Sequence, residues 1–320
     1  MVKISVVIPT RNRCNQLRDA IVSTRNQTFS PDSYEIIVVD NASTDDTREL
    51  VERLNQDGGK PIRYMYEPRP GLHWARHAGA RAAQGEILAY TDDDGAPTPG
   101  WVAALAQAFA ETDCAAVGGP VHVCWLSEPP WWATKLYGFA HLDYGSERLE
   151  LKWPHTIYGP SFAVRKSFLF EVGGFNPDTS VLDRLVGDGE VGLCRKIYAA
   201  GGKIVYEPGA LVYHQQDGMR LTLANMRHRL AQQARFCAYA DYKAHHQSTV
   251  RLLRRTGRML LWAADRKLQA LKHWPAKELA YYQHEVNAAA ALASAEYYLR
   301  LAFSERFRQI VLREDWINDV

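Results

Sequence analysis

Long apolar runs, paired cysteines and an excess of charge of either sign are what this sequence lacks. No stretch reaches the ~18 consecutive apolar residues expected of a membrane-spanning helix. The five cysteines (Cys14, Cys114, Cys124, Cys194 and Cys237) are odd in number and scattered, without a Cys-x-x-Cys pair. Neither a disulfide framework nor a zinc site is indicated, and a reducing compartment is favoured. The formal net charge is only +2, so there is no global case for nucleic-acid binding. The N-terminal apolar run is broken by Pro9, too short for a signal peptide, so a cytoplasmic location is expected. No internal repeat is present. With 320 residues, 47% hydrophobic and 23% charged, the chain has the composition of one large or two modest globular domains.

The most informative segment that is present is Thr91-Asp92-Asp93-Asp94. It follows the apolar run Gly85-Glu86-Ile87-Leu88-Ala89-Tyr90 and precedes Gly95, Pro97, Pro99 and Gly100. Three adjacent carboxylates at the end of a strand repel one another. Such a cluster is tolerated when a divalent cation or polar ligand neutralises it, and hard cations such as Mg2+ and Mn2+ bridge carboxylates to phosphates. The cluster suggests a metal-diphosphate site.

Lys3 to Ile8 reads as a strand buried on both faces and stopped by Pro9. A helical pattern runs from Asn15 to about Asn26. Tyr34 to Val39 is a second strand, ending at Asp40-Asn41. Ser43 or Thr44 can cap the helix that carries Leu50, Val51 and Leu54. Ile62 to Tyr66 reads as strand, Gly71 to Ala83 as helix and 86–90 as strand. Strands alternating with helices imply a mainly parallel α/β sheet with helices on both faces, and ligands sit beyond the carboxyl ends of such strands. Thr10, Asp40 and Asp92–Asp94 all fall at those ends. Further on, Trp101 to Phe109 reads as helix, Ala115 to Gly119 as a short strand and 125–144 as a long Trp- and Pro-rich loop. Phe162 to Val164 and Lys203 to Tyr206 are strand candidates, and Gly187-Asp188-Gly189-Glu190 opens a helix to Ala200. From about Leu221 the composition is nearly all helical, so the division expected is 1–220 and a helical 221–320.

Taken in order, several of these pieces resemble glycosyltransferase family 2 enzymes of the GT-A fold. They are Ser5 to Asn12, Val38 to Asp45, Glu67-Pro68 with Gly71, Ala75-Arg76 with Gly79, and Gly85 to Asp94. They continue with Gly159 to Arg165, Val172 to Phe175, Gly187 to Glu190, and Val212-Tyr213-His214. The resemblance covers about two thirds of the chain. It implies a Rossmann-like nucleotide-binding domain and an inverting transfer of a sugar from a UDP-linked donor. Pro9, Thr10 and Arg11 would line the base and Asp40, with Asn41 beside it, would hold it. Asp92, next to Asp93, would contact the ribose or sugar. Asp94 would bind Mn2+ or Mg2+ on the diphosphate, with His214 completing the metal site. Asp188 would be the catalytic base, a role that could also fall on Glu190. Two departures from the family pattern are Gly187, where Glu is frequent, and His77, where Asn is frequent. The acceptor implied is a glycan or lipid-linked glycan in surface polysaccharide assembly, with no nucleic acid involved.

The chemistry is consistent with that division. A nucleoside-diphosphate leaving group gains negative charge that a bound metal offsets, while one carboxylate on the opposite face takes the acceptor's proton. Bland alternatives stand beside each assignment. Asp40 and Asn41 are common turn formers, and Asp188 can simply cap a helix. Arg69, Arg76 and Arg81 read either as solvated helix charges or as diphosphate contacts. Trp125, Trp131 and Trp132 could form an acceptor lip, since aromatic faces stack on sugars, or could anchor their own loop. Lys243 to His273 carries eight Lys or Arg and one acid, Asp265, with leucines at helical spacing. Such a helix either lies on an anionic membrane at the inner face or packs with a solvated basic side. Two other functions compete: a nucleotidyltransferase, disfavoured because Pro9 to Arg13 has no glycine, and a non-catalytic nucleotide-sugar-binding scaffold.

Overall fold

The structure is a computed structural model, described for residues 3–138, 141–178 and 187–318. The first half alternates strand and helix: β1 (Ile4–Thr10), α1 (Cys14–Arg25), β2 (Tyr34–Asp40), α2 (Thr47–Gln56), β3 (Ile62–Tyr66), α3 (Leu72–Ala82) and β4 (Ile87–Tyr90). Then come β5 (Gly95–Pro97), α4 (Trp101–Glu111), β6 (Ala116–Gly118), β7 (Val121–Ser127), β8 (Leu149–Leu151), β9 (Phe162–Arg165) and α5 (Lys166–Glu171). They are followed by α6 (Gly189–Ala199), β10 (Ile204–Tyr206) and β11 (Val212–Asp217). Four helices complete the chain: α7 (Leu223–His245), α8 (Thr249–His273), α9 (Leu279–Phe303) and α10 (Glu305–Leu312).

Eight strands form one sheet in the order β3-β2-β1-β4-β9-β6-β10-β8. β1, β2, β3 and β4 run parallel, whereas β9 is antiparallel to both β4 and β6. β1 is buried along its whole length, as a central strand covered on both faces must be. Its alternate residues go to opposite layers. Val6 and Ile8 pack with Leu17, Ile21, Leu50 and Trp101 from α1, α2 and α4. Val7 packs with Ala75, Ala80, Leu193 and Ile197 from α3 and α6. β1 does not stop at Pro9 but runs on to Thr10, with Pro9 opposite Val39. Odd-numbered residues of β1 face β4, whose pairing ends at Val7↔Tyr90, so the N–H that Pro9 lacks has no ladder partner to lose.

A second, three-stranded sheet β5-β11-β7 was not legible in the sequence. Trp125 belongs to β7, not to a loop, and β11 pairs antiparallel with β5 and parallel with β7. Nor do Ser43 and Thr44 cap α2. The Ser43 hydroxyl accepts from the Asn12 N–H at 3.0 Å, and the Thr44 N–H donates to Asn12 Oδ1 at 2.7 Å, stitching the loops after β1 and β2 together.

α7 and α8 both pack on α9 around Tyr239, Tyr242, Leu252, Tyr297 and Leu301. Thr222, Ser248 and Ser304 cap α7, α8 and α10, each hydroxyl accepting a first-turn N–H. The segment after α10 returns to the sheet layer. Trp316 N–H donates to the Gly173 carbonyl at 2.9 Å, Arg81 donates to the Ile317 carbonyl at 2.6 Å, and the buried Lys196 ammonium caps the carbonyls of Gly174 and Glu314.

Candidate active site

The carboxyl ends of β1, β2 and β4 open into a cavity of about 560 Å³, within the range of small-ligand sites. Pro9, Thr10, Arg11, Arg13 and Asn41 line it from the ends of β1 and β2. Asp92, Asp93 and Asp94 line it after β4, and Leu126, His214 and Gln216 reach it from the small sheet. These polar loops converge because parallel strands all deliver their C-terminal ends to one edge.

Arg13 and His214 hold the Asp93–Asp94 end of the triple aspartate. Arg13 forms a fork over Asp93 at 2.9 Å and Asp94 at 2.7 Å. His214 Nε2 lies 3.2 Å from the other Asp94 oxygen. Burial alone would raise Asp94, but His214 and Arg13 outweigh it and hold the carboxyl down at about 2. The same pairing raises His214 against the effect of its own burial. Asp93 behaves oppositely. Burial raises it to about 7, although Arg13 and a 2.8 Å hydrogen bond donated by Thr10 favour its charge.

Asp40 has both oxygens engaged internally: one accepts from the Ser43 N–H at 2.8 Å and the other from the Tyr64 hydroxyl at 2.7 Å. Asn41 shapes the rim, donating to the Arg69 carbonyl and accepting from the Gly71 N–H, both at 2.7 Å.

A second group of charges lies where α3 meets α6. Arg76 is fully buried on α3, with its guanidinium near Glu190 at 3.3 Å, Asp178 at 3.4 Å and Asp92 at 3.6 Å. It links the triple aspartate to the start of α6. Burial and neighbouring Glu190 push Asp178 well above the usual carboxylate range, with Arg76 opposing. Asp188, directly preceding α6, faces another way. Its carboxylate accepts from Asn176 Nδ2, lies 3.6 Å from Arg195 Nε, and makes no capping bond to α6. Asn176 also donates to the Tyr239 hydroxyl of α7 at 3.3 Å, so Asp188 looks toward the helical layer. His77 accepts the Phe175 N–H at 2.9 Å, and burial holds it neutral.

The three tryptophans separate. Trp125 on β7 is half-buried, Trp132 is buried and stacked on Tyr282 at 4.2 Å, and Trp131 is 55% exposed. Sequence reasoning missed Arg13 and Asp178. Arg13 follows a β-strand in a polar loop, the signal that could have found it; Asp178, after Asn176-Pro177, carries a turn signature only.

Among the described residues no three His, Cys, Asp or Glu side chains are already arranged as a metal cage. Asp94 and His214 nonetheless fit as a partial one. A carboxylate oxygen and an imidazole suit Mn2+, the remaining ligands can come from phosphate oxygens, and Arg13 meanwhile supplies the positive charge.

Residues 5–174 match the sequence model "Glycosyl transferase family 2". The chain belongs to that family. It is a glycosyltransferase, and its sheet and helices have the GT-A architecture. Curated relatives of this family 2 chain include a glucosyl-dolichyl phosphate glucuronosyltransferase of Haloferax volcanii, 26% identical over 67% of this chain and 69% of the relative. A pre-mycofactocin glycosyltransferase of Mycobacterium tuberculosis is 31% identical over 66% of this chain, which spans 42% of that protein's length. Among solved structures, the mannosyltransferase PcManGT of Pyrobaculum calidifontis, in complex with GDP-Man and Mn2+, aligns over 97% of this chain and 78% of its own. Its TM-score is 0.56 at 18% identity. GalNAc-T7 with UDP, GalNAc and Mn2+ aligns over 68% of this chain and 43% of its own, with a TM-score of 0.53 at 21% identity. These two likenesses concern the fold.

Proposed function

We propose that this glycosyltransferase takes a sugar from a nucleotide-sugar, UDP-linked, and transfers it with inversion to a hydroxyl of a glycan or lipid-linked glycan. The observation that carries the reading is the triple aspartate with His214 on the wall of a cavity at the carboxyl edge of the sheet. Pro9, Thr10, Arg11 and Asn41 supply the wall for the nucleotide, and Asp40 braces the loop that presents Asn41. Asp94 and His214 would hold the divalent metal, Mn2+ or Mg2+, which would supply positive charge to a diphosphate leaving group. Arg13, already on Asp93 and Asp94, is placed to contact the same phosphates.

The proton of the acceptor hydroxyl is assigned to the carboxylates that share Arg76. Glu190, at the start of α6, and Asp178 stand on the side of Asp92, and burial raises the Asp178 carboxyl, which makes its carboxylate a stronger base than an ordinary one. Asp188, held by Asn176 and Arg195, positions that turn. Trp131, 55% exposed with Tyr282 edge-on and Lys135 over its ring, is the aromatic surface assigned to the acceptor. The Haloferax relative, named for a dolichyl-phosphate-linked substrate, supports a lipid-linked acceptor.

Calorimetric titration of UDP, with GDP as control, with and without Mn2+, tests the donor half. UDP binding that needs Mn2+ and disappears in Asp94→Ala is the expected result. Binding of neither nucleotide by the wild type sinks the reading.

A further inference from the structure

α8 is a helix of 25 residues, about 37 Å long, whose circumference divides into three sectors. One is buried: Leu252, Thr256, Ala263 and Ala270 pack inward, with α9 as the neighbouring helix. The second, about 100° wide at 3.6 residues per turn, carries Val250, Leu253, Leu260, Leu261, Leu268 and Leu271. All six are exposed, Leu261 at 75%. The third adjoins it and presents Arg251, Arg254, Arg258 and Lys272, also exposed.

None of these four cations has an acidic partner among the described residues. Their basic neighbours on α8 are partnered: Arg255 with Asp241, Arg266 with Asp265 and Lys267 with Glu285. Asp265, the single acid on α8, is therefore already neutralised. Soluble proteins rarely leave a continuous apolar stripe of this length open to water. Here it lies beside a row of free cations.

We propose that α8 lies in the plane of a lipid bilayer, its leucine sector in the acyl boundary and Arg251, Arg254, Arg258 and Lys272 on anionic headgroups. An apolar stripe flanked by cations is the arrangement that holds a helix at a membrane interface without crossing it. Among the described residues no helix is long and apolar enough to cross a membrane. A second copy of the chain is a poorer occupant, because a two-fold contact through the stripe would set the same four cations against themselves. The proposal concerns α8 alone and stands whichever acceptor the cavity serves.

Full-length protein is sedimented with vesicles of phosphatidylcholine alone and of phosphatidylcholine with phosphatidylglycerol. The wild type is expected on the anionic vesicles only, with less bound as salt rises. Arg254→Gln with Arg258→Gln weakens partition about 25-fold, roughly fivefold per cation. Leu261→Asp with Leu268→Asp also releases the protein, and both variants keep the wild-type melting temperature, since all four residues are exposed. Wild-type protein that ignores anionic vesicles overturns the proposal. So does partition that both double variants leave unchanged, or a solution dimer that Leu261→Asp with Leu268→Asp splits. Vesicle binding by protein that fails to bind UDP would retire the donor reading and leave this one standing.

Discussion

The Asp178, Asp188 and Glu190 carboxylates lie within one stretch of sequence yet have different surroundings. Glu190 and Asp178 share the buried Arg76 guanidinium, whereas Asp188 is turned to Asn176 and Arg195. Glu190→Gln and Asp178→Asn should each lower kcat by about 10²–10⁴ with nucleotide affinity unchanged, the usual range for loss of a general base. Asp188→Asn should instead lower stability by about 1–3 kcal/mol, since it disturbs a buried polar pair. Steady-state kinetics with thermal melts separate the two, and a collapse of kcat in Asp188→Asn at unchanged Tm would return the base to Asp188. Asp93 offers a pH test. Its folded pKa is raised to about 7, so it holds a proton that the unfolded chain releases near pH 4. Its contribution is therefore complete below about pH 4 and lost as pH rises through about 7. Asp93→Asn, neutral at every pH, should match wild type at about pH 3, below the unfolded value, and melt higher at about pH 8, by ~2–4 °C per kcal/mol.

α3 illustrates what an element contributes beyond its own residues. It lies so close on β1 that a Cβ at Gly79 would sit 2.4 Å from a Val7 methyl. That closeness seats Arg76, His73 and His77 in the interior. Gly79→Ala should cost about 1–3 kcal/mol through overpacking and also reduce kcat, because shifting α3 moves Arg76 off Glu190 and Asp178. Urea denaturation and initial rates on the same preparation check both; loss of stability with unaltered turnover would show that Arg76 does not depend on this packing. The continuous β-branched runs of β1 and β2 and the 3.6-residue period of α1 and α3 made them readable, since the strands are buried on both faces and the helices on one. β5, β7 and β11 were not, because two are short or irregular and their pairing joins segments about a hundred residues apart.

At the level of the whole molecule, the C-terminal segment ties the helical layer to the sheet layer. Trp316 and Ile317 are buried, Trp316 bonds Gly173, and Arg313 donates to the Asp315 carbonyl nearby. Asn176 joins Asp188 to Tyr239 across the same boundary. Truncation after Leu312 should therefore lower the melting temperature of the entire protein, by the equivalent of about 3–5 kcal/mol for a lost tryptophan and its neighbours. Calorimetry should show one transition in the full chain. Two separate transitions, with only the upper or lower one moved by truncation, would mean that residues 221–320 melt as a unit of their own.

Composition, apolar strand runs alternating with helical segments and the Asp92–Asp94 run were enough to indicate a parallel α/β sheet with a polar site at its carboxyl edge, because those signals are local and follow from the geometry of the elements and the repulsion of adjacent charges. Tertiary structure alone decided which charges meet. Arg13 reaches Asp94 across 81 residues, and Arg76 reaches Glu190 across 114. Asp188 turns away from its near neighbour Glu190 because Asn176, twelve residues earlier, donates to it while also bonding the Tyr239 hydroxyl on a helix fifty residues further on. Side-chain direction depends on what packs against it, and that information is spread over the folded chain rather than held in any one stretch of it.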